Sequence, residues 1–81
     1  MIITKQTMSM TEIELRESFR NFCHHKKLEY VTSVKVGKNL MILAKGNNVI
    51  KLMRQFFDGT GLEYTEPSII LDAIGTYVTL E

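Results

Sequence analysis

Cysteine occurs once, proline once and tryptophan not at all among the 81 residues. A lone Cys23 excludes an intramolecular disulfide and any zinc site built on several cysteines. One proline and five glycines leave no linker or low-complexity tract, so residues 1–81 read as a single domain. No apolar run approaches the ~18 residues of a membrane-spanning helix. The longest near-apolar stretch, Ser68 to Ile74, is broken by Asp72. The opening Met1-Ile2-Ile3-Thr4-Lys5-Gln6-Thr7 has neither the basic start nor the apolar stretch of a signal peptide. A cytoplasmic protein with a reduced thiol and no membrane contact is expected. A dominant charge is missing as well: ten Lys and Arg against nine Asp and Glu leave a formal +1. The total charge therefore announces no nucleic-acid or membrane partner.

What is present is a globular composition, 44% hydrophobic and 23% charged, too apolar for a disordered chain. It also contains a pattern that recurs. At a spacing of 34 residues, Phe19-Arg20-Asn21-Phe22 lies over Met53-Arg54-Gln55-Phe56, and Leu28-Glu29-Tyr30 over Leu62-Glu63-Tyr64. Five of the twelve positions in 19–30 and 53–64 are identical, where chance would give roughly one. Leu15, Phe19, Phe22 and Cys23 overlie Val49, Met53, Phe56 and Phe57, so one amphipathic helical stripe is written twice. The chain divides into units of about 11–45 and 46–81.

Each unit predicts a helix followed by two strands. Thr11-Glu12-Ile13-Glu14 has the spacing of a capping box, and Lys26-Lys27 suit a helix C-terminus. Tyr30 to Val36 is rich in β-branched residues and reads as a strand. Gly37-Lys38-Asn39 turns the chain, and Leu40 to Ala44 returns. Gly46-Asn47-Asn48 is expected to cap a second helix, Val49 to Asp58, stopped by Gly59-Thr60-Gly61. Leu62 to Leu71 is extended but interrupted by Pro67, as on a sheet edge. Asp72-Ala73-Ile74-Gly75 is expected to turn, with Thr76 to Leu80 as the last strand and Met1 to Thr4 as an extra one. The expected fold is α+β: duplicated α-β-β units, with two helices packed on one four-stranded, mainly antiparallel sheet.

Catalytic constellations are absent. Adjacent helical residues point about 100° apart, so His24 and His25 cannot share a metal as an i, i+4 pair can. Cys23 continues the apolar stripe and is expected in the core, where a thiol is not a nucleophile. The carboxylates are scattered, with Glu29 and Glu63 at matched strand starts and Tyr30 and Tyr64 beside them. No nucleophile elbow, phosphate loop or dinucleotide fingerprint occurs. The expectation is a non-enzymatic protein with no metal and no cofactor.

Two features point to a partner instead. Residues 1–45 carry eight cations and four carboxylates, a formal +4, while residues 46–81 carry two and five, a formal −3. Lys26, Lys27, Lys35, Lys38 and Lys45 are expected to cluster around one hairpin and the neighbouring helix end, facing phosphates or an acidic protein surface. Both faces of the segment 40–44 are bulky, Leu40 and Ile42 on one and Met41 and Leu43 on the other. A two-layer domain needs only one apolar face per strand. Met41 and Leu43 therefore join the five lysines as expected partner-binding residues.

The stretch Ile50-Lys51-Leu52-Met53-Arg54-Gln55-Phe56-Phe57-Asp58, followed by glycine and two short strands ending Thr76-Tyr77-Val78-Thr79-Leu80, resembles the double-wing DNA-binding domain of a phage middle-promoter transcription activator. The likeness covers about half of the chain and includes no diagnostic motif. It departs in the second half, which lacks that domain's strongly basic character. The resemblance implies a small regulatory protein of phage type that binds DNA or a host factor, and it assigns no individual residue. Together these readings give a regulatory binding protein that associates with a larger protein and self-associates, as in a homodimer. Nucleic-acid binding through the lysine-bearing first half is the alternative, and a small enzyme a distant third.

Overall fold

A computed structural model describes residues 11–80, and the expected strand at Met1 to Thr4 lies outside them. The chain runs as α1 (Glu12–Lys26), β1 (Glu29–Val36), β2 (Asn39–Lys45), α2 (Val49–Thr60), β3 (Ser68–Ile70) and β4 (Ala73–Thr79). The fold is α+β, with the strands in one antiparallel sheet of order β1-β2-β4-β3.

α1 starts where its capping residues place it. The Thr11 hydroxyl accepts from the Glu14 N–H at 3.1 Å, and the Glu14 carboxylate accepts from the Thr11 N–H at 3.0 Å. That satisfies two of the donors a helix start leaves unpaired. The helix ends at Lys27, whose left-handed φ of 60° lets Leu28 N–H reach the Cys23 carbonyl at 2.8 Å.

α2 corrects two expectations. Asn48 is left-handed, with φ 59°, and makes no side-chain cap bond. Gly59 does not stop the helix, which runs to Thr60 and closes on left-handed Gly61.

The 34-residue spacing recurs throughout the geometry. The buried residues of α1 are Leu15, Phe19 and Cys23, and those of α2 are Val49, Met53 and Phe57. Tyr30 pairs with Ala44, and Tyr64 bridges Val78. Val34, Lys35 and Val36 face Met41, Leu40 and Asn39, just as Ser68, Ile69 and Ile70 face Gly75, Ile74 and Ala73. At the centre of the sheet Ile42 pairs with Thr76, its own counterpart 34 residues on. The strand order is likewise unchanged when β1 is exchanged with β3 and β2 with β4. These relations describe a pseudo-twofold passing between Ile42 and Thr76.

The expected turn at residues 72–75 is corrected by the same relation. Leu71 and Asp72 make the turn, both with positive φ (49° and 70°), opposite in the pseudo-dyad to Gly37-Lys38. Gly75, read from the sequence as a turn residue, sits inside β4. A Cβ there would run into the Leu43 side chain and lie 2.9 Å from Ile70 Cδ1. Its smallness serves close packing rather than a bend. Pro67 is buried just before β3 and has no N–H to donate, which keeps that strand to three residues.

Both helices pack on one face of the sheet, against Leu40, Ile42, Ala44 and Val78. Phe19 joins the two helices, with its ring centroid 5.2 Å from Phe56 and 5.4 Å from Phe57. Each such side chain contributes about 1.5–3 kcal/mol through burial. Ser33 and Thr76 are buried polar members of this layer, and the Thr76 hydroxyl donates to the Thr65 carbonyl at 2.5 Å.

Candidate association surface

Because directly opposed residues share a face, the register assigns the other side of the sheet. Along β1 it is formed by Thr32, Val34 and Val36, and along β2 by Asn39, Met41 and Leu43. β4 adds Ala73, Gly75, Tyr77 and Thr79, and β3 adds Ser68 and Ile70. None of these carries charge; the charged residues of this face are Glu29 and Lys45, opposed at one corner. Among the described residues, no helix covers this side.

The centre of the surface is uncharged, apolar at Val34, Val36, Met41 and Ile70 and polar at Thr32, Asn39, Ser68 and Thr79. Val34 and Val36 are 45% and 47% exposed, and Met41, Tyr77 and Ile70 are partly so. Val34, Met41 and Tyr77 form a continuous row across three strands. Leu43 differs from the expectation that it contacts a partner, since it is only 2% exposed. The missing side chain at Gly75 leaves a hollow, and Leu43 and Ile70 fill it. Leu43 therefore supports the surface from within, whereas Met41 reaches it.

The lysines do not form the single cluster expected. Lys26 and Lys27 end α1, and Lys45 ends β2 opposite Glu29. Lys35 and Lys38 lie at the other end of the hairpin, lining a shallow groove with Gly37, Thr79 and Leu80. At about 3.3 Å per strand residue the two groups are roughly 20 Å apart. All five are exposed. Lys26 Nζ also sits 5.9 Å from the Phe22 ring centroid.

The other candidate chemistry resolves into structure. Cys23 is buried, and loss of hydration pushes its thiol from 9.0 up to about 11, so it stays protonated at neutral pH. His24 and His25 are exposed neighbours with ring centroids 6.0 Å apart. No group of three or more His, Cys, Asp or Glu among the described residues could hold a metal ion. Glu29 is exposed at the start of β1, whereas Glu63, expected at a matched strand start, is exposed in the connector before β3, next to the isolated Tyr64–Val78 bridge.

Tyr30 and Tyr64 occupy matched places with different neighbours. The Tyr30 hydroxyl shares a hydrogen bond with Ser33, and Arg20 lies 4.9 Å from its ring centroid. The Tyr64 hydroxyl donates to Asp58 at 2.5 Å, and this bond is the main reason its pKa is raised. Arg54 pairs with Glu66 nearby. These contacts, invisible to motif reading, tie the connector before β3 to α2. Their only trace in the sequence is the matched Glu-Tyr pair.

Among the described residues, no helix is long and apolar enough to cross a membrane. No protein-family model, curated protein or solved structure matches the chain.

Proposed function

We propose that the protein is a small non-enzymatic binding module, acting by association with another protein chain through the uncovered face of its sheet. The observation that carries this reading is the row Val34–Met41–Tyr77, with Val36 beside it, left without a covering layer among the described residues. Patches of this kind on a small domain mark interaction sites. Its lack of charge at all but one corner favours a protein surface over nucleic acid, which would call for cations facing phosphates. The phage-domain likeness supports a regulatory role for this association.

Nucleic-acid binding remains the competing mode, and the division of the lysines between two ends of the hairpin weakens it. Affinity capture with three matched baits separates the two. Proteins retained by the wild type and lost with Val36→Glu, but kept by the Lys35→Glu/Lys38→Glu variant, support the proposal. Recovery of nucleic acid that falls with salt and disappears in the lysine variant would overturn it.

A further inference from the structure

We propose that the uncovered sheet face binds a second copy of this chain, sheet against sheet, about a twofold axis. The inference rests on the reading of that face as an association surface and names its occupant. Three observations support it: charge, size and relief.

Charge comes first. A surface used by two identical partners meets itself, so any net charge on it is repelled by its own image. Each half of this protein is strongly biased, +4 and −3, yet the face between them carries only the opposed pair Glu29 and Lys45. The bias has been kept off this surface. Glu29 and Lys45 sit at one corner, where a twofold partner can bring its Lys45 toward Glu29 and its Glu29 toward Lys45.

Size is the second. Three of the four strands, about 4.8 Å apart, are some seven residues long, and β3 has three, so the face spans roughly 19 by 23 Å only at its widest. Two such faces would bury about 800 Å² in total, below the standard size and in the range of weak, transient contacts. A contact of this size corresponds to a weak, reversible dimer.

Relief is the third. Sheets pack face to face about 10 Å apart when their side chains interdigitate without a protruding bulk. Leu43 and Ile70 occupy the space a side chain at residue 75 would need, and Leu43 is only 2% exposed, so it adds no protruding bulk at the centre of the face. Val34 and Val36 stand at the margin, exposed by nearly half, and are available to close over the partner.

Sedimentation equilibrium of the full chain, from about 5 µM to about 1 mM, tests the inference. Solvent exposure of the Val34 and Val36 methyls to a dissolved nitroxide is measured by NMR on the dilute sample. The expected result is a reversible monomer–dimer equilibrium that Val34→Glu weakens at least tenfold, with unchanged circular dichroism. Val36→Lys, on the same margin, repeats the measurement should Val34→Glu fail to fold. A monomer at every concentration with accessible methyls overturns the second copy as occupant and leaves the association face standing. A monomer whose methyls are shielded when dilute overturns both readings, because the chain itself then covers the face. A dimer indifferent to both substitutions overturns the inference by placing the contact elsewhere.

Discussion

The two αββ units share one backbone frame and differ in what stabilises it. Each has a helix stripe of three buried residues, a left-handed helix end and a hairpin with matching register. The first unit is capped by the reciprocal Thr11 and Glu14 bonds, while the second begins at Asn48 with no side-chain cap. The second compensates in the core, where Phe57 stands in the place held by Cys23. At the helix ends the preference reverses again, since Gly61 adopts the left-handed conformation that Lys27 must adopt with a side chain. A frame can thus be kept while its stabilising contributions move from termini to core, and while the surface charge changes sign.

The largest test of this contrast is at the matched pair in the core. Phe57→Ala should cost about 3–5 kcal/mol in urea denaturation, whereas Cys23→Ala should cost about 1 kcal/mol. Phe57 loses ring contacts with Phe19 and Tyr64 at centroid distances of 5.4 and 5.5 Å. Equal costs would mean that the second unit does not depend more on its core.

Gly75→Ala comes next, at about 1–3 kcal/mol, because the new methyl must displace Leu43 and Ile70. Its counterpart Met41, partly exposed, should lose only about 1 kcal/mol or less as alanine. Thr11→Ala should cost about 1 kcal/mol through the lost cap. Asn48→Gly should be neutral or slightly stabilising, with no cap bond to lose and a left-handed backbone that suits glycine. At the matched helix end a gain is expected: Lys27→Gly should raise stability by about 0.5–1 kcal/mol, read as a higher melting temperature. A loss there would show that the lysine side chain contributes more than its strained backbone costs.

Periodicity made most of this frame legible. The helix stripes, the α1 capping box and the burial of Cys23 follow from residues a few positions apart. The order α-β-β-α-β-β follows from the repeated stripe. The last turn was not legible, because Gly75 carries the local signature of a bend and its role depends on Leu43 and Ile70 from other strands. Leu71, a leucine with positive φ, gives no turn signal at all. At the candidate site the bulky alternation of Leu40 to Leu43 pointed to a two-sided strand. Assigning the surface itself required the register, which separates exposed Val34 and Val36 from buried Leu43. The lysine cluster misled because neighbours in a hairpin sequence can lie at its opposite ends.

The most direct measurement of the central claim is a concentration series of amide NMR spectra on the full chain. Shifts that move with concentration should be confined to Thr32, Val34, Val36, Met41, Tyr77 and their immediate neighbours, on the side of the sheet away from the helices. Shifts concentrated on α1, α2 or the Lys35–Lys38 tip, with the uncovered face unchanged, would contradict it.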